Sequence, residues 1–207
     1  FDFQTPYADF DLNEVVRYGK ERGVEIIGHH ETSAAVSTYE KYMDQAYQLY
    51  QALGVNAVKT GYVGRIPDHR HYDQYMVNHY NKVMIETARS KMMLDVHEPI
   101  KPTGLCRTYP NLMSGEGMRG QEFNAWSDGN KLSHNVTLPF TRNLAGPMDF
   151  TPGIFDLKLV KYKNHDTDFS SYDAHDVGAK PLSRVYSTLA HQLGLYVVFY
   201  SPLQMVA

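Results

Sequence analysis

Short strand-like runs alternate with longer helix-like stretches along most of this chain, and that alternation points to folds built on a parallel sheet. The runs are residues 24–28 (VEIIG), 56–60 (NAVKT), 92–96 (MMLDV), 118–123 (MRGQEF), 147–150 (PMDF) and 195–200 (LYVVFY). Their centres lie about 34 residues apart, near the length of one βα unit. Residues 11–22, 37–53, 68–90, 132–144 and 181–193 are the predicted helices. The second is the most regular: Tyr39, Tyr42, Met43, Ala46, Tyr47, Tyr50 and Leu53 recur at a period near 3.6, and Gly54 stops it.

Several runs are followed at once by polar residues. In a (β/α)₈ barrel the chemistry sits there, at the C-terminal strand ends. Six strands fall short of the eight of a closed barrel, which typically has about 250 residues. The expected fold is therefore an incomplete (β/α)₈ barrel, with its missing units on the N-terminal side. An open doubly wound sheet is the competing architecture, but no glycine-rich phosphate loop follows the first strand. Residues 151–180 break the repeat and suggest either a lid over the site or a surface loop.

Composition narrows the function. A chain of 207 residues can build one sizeable core and is short for two domains. Mean hydropathy is −0.45, and no apolar run approaches the roughly 18 residues of a membrane helix. The net charge of −3 carries no basic block, which argues against a nucleic-acid partner. The single cysteine, Cys106, excludes an internal disulfide and a cysteine-built zinc site. With 16 Tyr and 10 His, a surface suited to the polar edges and apolar faces of sugars is expected. Phe1 is not a translation start, so a removed leader or a longer parent chain is expected.

Glu31 (GHHET), Glu98 (DVHEP) and Glu122 (RGQEF) each follow or end a strand-like run, and Glu116 (SGEGMRG) lies just ahead of the third of these. Strand ends on one barrel face converge, and glycoside hydrolysis needs such a cluster. One carboxyl group protonates the leaving oxygen while another attacks or activates water. Clustered carboxylates also suit a hard cation such as Ca²⁺. His29, His30 and His97 sit beside these glutamates and offer metal ligation, substrate contacts or acid/base work. A zinc-dependent hydrolase built on His29 and His97 stays open, although no HExxH pair occurs. Lys59 could form a Schiff base or bind a sugar hydroxyl, and Asp95 shares the parity of His97 on its strand. Neither a GxSxG elbow nor a phosphate-binding GxxxxGK[ST] loop is found.

GVEIIGHHET, GVNAVKTGYVG, MMLDVHEPIKPTGLCRTYPNLMSGEGMRGQEFNAW and GPMDFTPG together resemble family 97 glycoside hydrolases, along nearly the whole chain. The resemblance implies strands three to eight of a catalytic (β/α)₈ barrel. An N-terminal β-sandwich, strands one and two and a C-terminal β domain lie outside this chain, and the piece alone is expected to be inactive. It further implies Glu122 as general acid, Glu31 and Glu98 as the pair that activates water, and Glu98, Glu116 and Glu122 around a catalytic Ca²⁺. His29, Lys59 and His97 match positions that hold the innermost sugar. Retaining members carry an aspartate nucleophile where this chain has Gly61. The resemblance therefore implies an inverting α-glucosidase acting on α-linked gluco-oligosaccharides, periplasmic or secreted. A retaining α-galactosidase-like relative and a non-catalytic carbohydrate-binding barrel are the alternatives.

Overall fold

The computed structural model describes residues 2–127, 129–155, 157 and 185–206. They fall into two compact units, 1–117 and 118–207. The first unit keeps the predicted alternation, but its first strand runs 27–31 rather than 24–28 and its third helix starts at Gln74 rather than at 68. Its elements are α1 (Leu12–Lys20), β1 (Ile27–Glu31), α2 (Val36–Leu53), β2 (Ala57–Gly61), α3 (Gln74–Arg89), β3 (Met93–Val96) and β4 (Leu112–Gly115). The four strands form one parallel sheet in the order β1-β2-β3-β4.

Local chemistry sets the helix ends. The Asp11 and Asp73 carboxylates accept hydrogen bonds from Glu14 N and Met76 N, satisfying first-turn amides of α1 and α3. Gly54, at φ 71°, closes α2 in the left-handed conformation that glycine adopts without penalty. α2 buries Tyr39, Met43, Ala46 and Tyr47, and α3 buries Met76, His79, Tyr80, Val83 and Met84, against Val58 and Leu94 of the sheet. Gly28 is required by this packing, because a Cβ there would lie 2.1 Å from the Tyr50 ring.

Tyr39, Tyr47, Tyr62 and Tyr80 are therefore core residues rather than sugar-facing ones, while Tyr7, Tyr18, Tyr72 and Tyr200 are exposed. The hydroxyls of the core tyrosines are paired inside. Tyr39 bonds both His30 Nδ1 (3.0 Å) and the Tyr47 hydroxyl (2.8 Å), and Tyr62 meets His79 Nε2 at 2.6 Å. His79 in turn holds Glu40 through Nδ1 at 2.8 Å. Burying a polar group in this way is tolerated because it is satisfied.

His30 should make the fold acid-sensitive. It is 2 % exposed, and its Nε2 meets no hydrogen-bond partner among the described residues. Burial, with a smaller contribution from His29, pushes its pKa down from 6.5 to about 3. The unfolded chain thus binds a proton near pH 6.5 that the folded chain refuses until about pH 3. Stability is full above pH 6.5 and falls on acidification through that window, by up to about 1.4 kcal/mol per pH unit. Burial lowers the His79 pKa as well, with the same sign. Melting temperature should drop between pH 7 and pH 5, and His30→Phe should flatten the drop.

The second unit departs from the six-strand expectation. Among the described residues four strands form, all in the first unit. Residues 118–123 are a turn leading to a short helix, α4 (Phe123–Trp126), and the strand of this region is β4, several residues earlier. Asn124 and Asn130 fix the turn: Asn124 Nδ2 donates to Gln121 O, and Asn130 Nδ2 to Gly120 O. Residues 147–150 form no strand, although Met148 and Phe150 are buried. The predicted helix 132–144 is α5 (Leu132–Thr137) followed by two short 3₁₀ turns, consistent with Pro139 interrupting the pattern. LYVVFY is helical in α6 (Leu189–Val198), where Leu195 and Phe199 pack with Leu138, Met148 and Phe150. The helix predicted at 181–193 starts only at Leu189, with the Thr188 hydroxyl capping His191 N; residues 181–184 lie outside the described set. So does most of the 151–180 segment. No helix among the described residues is long and apolar enough to cross a membrane.

Candidate active site

Parallel register lays the site out in rows. His29 pairs with Lys59, Lys59 with Asp95 and Asp95 with Ser114; two residues on, Glu31 pairs with Gly61. Residues two apart on a strand share a face. His29 and Glu31, Lys59 and Gly61, and Asp95 and His97 therefore share the face opposite His30, Thr60 and Val96. The ladder runs on past the strands, with Thr32 N donating to Gly61 O, His97 N to Thr60 O and Glu116 N to Val96 O. Glu31, Glu98 and Glu116 are thus carried at the C-terminal ends of neighbouring strands.

Backbone amides hold two of these carboxylates. Glu31 Oε1 accepts from Ser33 N at 2.7 Å and Val63 N at 3.1 Å, and Glu98 Oε2 accepts from Tyr62 N at 2.7 Å. Consecutive amides just after β2 therefore hold one carboxylate each. Glu31 Oε2 lies over Gly61, where a Cβ added to the glycine would stand 2.1 Å from it, with His29 Nε2 at 3.4 Å. The carboxylate fills the place a side chain at 61 would need.

The ring of His97 lies between two acids: Nε2 is 3.8 Å from Asp95 Oδ2, and Nδ1 is 3.8 Å from Glu116 Oε2. Partial desolvation holds the His29 pKa down, helped by the charges of Lys59 and His97 and opposed by Glu31. The His29 shift thus registers the charges of Glu31, Lys59 and His97 around it.

Glu98 is held in an unfavourable backbone. Its φ is +44°, a left-handed conformation that costs a non-glycine residue roughly 1–2 kcal/mol. It also precedes Pro99, and a following proline favours extended backbone. Beneath it, the hydroxyl of Tyr80 from α3 is shared between His97 O at 2.9 Å and Glu98 O at 2.6 Å. Burial, reinforced by Glu98, Glu116 and Glu31, pushes the Tyr80 pKa far up and keeps this group a donor.

Six of the seven sequence-predicted site residues, His29, Glu31, Lys59, His97, Glu98 and Glu116, come together in the first unit. Glu116, not Glu122, is the carboxylate at the end of β4. Glu122 is exposed, in the second unit, on the turn before α4. The alternation in MRGQEF suggested a strand that ordered hydrogen bonds from Asn124 and Asn130 convert to a turn. Sequence reading missed the amides of Tyr62 and Val63, which carry no side-chain signal. It also missed Tyr80, whose only mark is its place on the buried stripe of α3.

Glu98 and Glu116 offer carboxylate oxygens at adjacent strand ends, with Glu116 Oε2 3.3 Å from Glu98 N. Neither His29 nor Glu98 nor Glu116 belongs to a group of three donors close enough to share an ion among the described residues, so the geometry supports neither the zinc site on His29 and His97 nor the calcium set.

The sequence model of Glycoside hydrolase 97 matches residues 1–118. The chain belongs to glycoside hydrolase family 97. A family 97 enzyme from Pseudoalteromonas sp. strain K8, solved in complex with panose, is similar at TM-score 0.83 and 46 % identity, over 99 % of this chain and 30 % of that one. The same enzyme in complex with acarbose gives TM-score 0.83 at 47 % identity with the same coverage. A curated relative, the retaining α-galactosidase of Bacteroides thetaiotaomicron, is 31 % identical over 99 % of this chain and 28 % of its own length. This family 97 chain thus spans less than a third of the relatives it matches.

Proposed function

We propose that this chain carries the central catalytic residues of an inverting α-glucosidase, as part of a (β/α)₈ barrel. The observation that carries the reading is the crowding at Gly61. A glycine has no nucleophile, and Glu31 Oε2 already occupies the space where one would project. Hydrolysis is then a single displacement. Water oxygen bonds to the anomeric carbon as the glycosidic C–O bond breaks, one carboxylate of the Glu31–Glu98 pair takes one water proton while the other orients the water, and Glu122 gives its proton to the leaving oxygen. His29, Lys59 and His97 hold the innermost sugar. Glu98 and Glu116 would hold Ca²⁺, which would polarise the site and offset the charge of the clustered carboxylates. The panose and acarbose complexes of a relative at 46–47 % identity support an α-gluco-oligosaccharide substrate.

The curated relative's name favours a second reading, a retaining α-galactosidase. Proton NMR of the first turnover of the intact enzyme separates the two. The β-anomer of glucose is expected from an α-glucoside, with poor turnover of the matching α-galactoside. An α-anomer product would overturn the inverting reading.

A further inference from the structure

We infer that Tyr80 is a positioning residue for Glu98, setting its left-handed backbone and through it the carboxylate. The inference rests on the reading of Glu98 as a water-activating base. Three observations carry it. One buried hydroxyl bridges the two successive carbonyls of His97 and Glu98, at 2.9 and 2.6 Å. The residue so held has a φ of +44° and stands before a proline, so its own preference is to leave this conformation. The same residue's carboxylate is tied to Tyr62 N at 2.7 Å, and that tie is made only while the backbone keeps its turn.

Tyr80 itself has little freedom. It is 5 % exposed and lies on the inward stripe of α3, with its ring 5.1 Å from that of Tyr62. It touches the site through main chain alone. Loss of its hydroxyl lets the 97–98 turn relax toward extended backbone and moves the Glu98 carboxylate off the amide of Tyr62. The sugar contacts of His29 and Lys59, on β1 and β2, are unaffected, and His97 stays anchored to β2 because its own amide donates to Thr60 O at 2.8 Å. The predicted signature is a loss in kcat with little change in KM.

Tyr80→Phe in the intact enzyme tests this, with Tyr47→Phe as comparator. Tyr47 is an equally buried tyrosine whose hydroxyl bonds only that of Tyr39. Tyr80→Phe should lower kcat on an aryl α-glucoside about 10- to 100-fold, with KM within about threefold, since a displacement near 1 Å at a reacting group has effects of this order. Tyr47→Phe should keep kcat within about twofold. Adding Pro99→Ala to Tyr80→Phe should recover part of the lost kcat, because it removes the pre-proline bias the hydroxyl opposes. A kcat near wild type for Tyr80→Phe, an equal loss in Tyr47→Phe, or a defect confined to KM overturns the inference. If Tyr80→Phe does not fold, the double variant decides: recovery of folded enzyme supports the inference, and failure overturns it. Glu98→Gln and the product anomer, measured in parallel, report on the role of Glu98 itself. A failed reading of that role is therefore distinguishable from a failed role for Tyr80.

Discussion

Gly61→Ala should reduce kcat about 10²- to 10³-fold while leaving the protein folded. The added methyl group would stand 2.1 Å from Glu31 Oε2 and 3.1 Å from its carboxyl carbon. Backbone does not block it; the far end of a side chain does, so the sheet can keep its register while Glu31 swings away. In leaving, Glu31 gives up the amides of Ser33 and Val63. The proposed water-activating pair then loses one member. Gly61→Asp should fail the same way: it brings a carboxylate to the position of a retaining nucleophile, but into space Glu31 already fills. Thermal melting checks the fold, steady-state kinetics on an aryl α-glucoside checks the loss, and NMR checks that residual product is still the β-anomer. Near-normal kcat for Gly61→Ala would remove Glu31 from the reaction.

The second large effect separates the acid from the base. Glu122→Gln should lower turnover of maltose-type substrates about 10³-fold, within the range general acids contribute, because a sugar alkoxide cannot leave without a proton. Aryl glucosides with acidic phenols need no such help, and their turnover should fall less than about tenfold. Glu98→Gln should impair both substrate types, since water activation is needed whatever departs. Equal losses on both substrates for Glu122→Gln would take the acid role from Glu122. The comparison matters more for Glu122 than for the other carboxylates, because it lies on an exposed turn rather than at a strand end.

Much of the first unit was legible because its information is local. Asp11 announces a helix start, Gly54 announces a stop, and the inward stripes of α2 and α3 follow the 3.6 period; the true start of α3, capped by Asp73, lies six residues after the expected one. Glu31 and Glu98 were readable as strand-end carboxylates from the runs just ahead of them. The failures lie where local pattern is ambiguous. LYVVFY is apolar throughout, and such a run has no period to choose between strand and helix. Packing with Leu138, Met148 and Phe150 accompanies the helical outcome. β4 is four residues long and paired through a register shift at Leu94/Asp95, too brief for any alternation to mark it.

From the sequence alone came the family resemblance, the parallel α/β architecture, and the residue types of the site, including the glycine at position 61. These follow from patterns spanning a few residues or from motifs that survive as strings. Only the tertiary structure decided that Glu31 stands over Gly61, that two consecutive amides after β2 hold Glu31 and Glu98, and that Tyr80 reaches beneath the 97–98 turn. Each of these depends on strand register and helix placement between segments 17 to 36 residues apart. Register is settled by which faces bury together, a property of the whole sheet and its covering helices that no single segment contains.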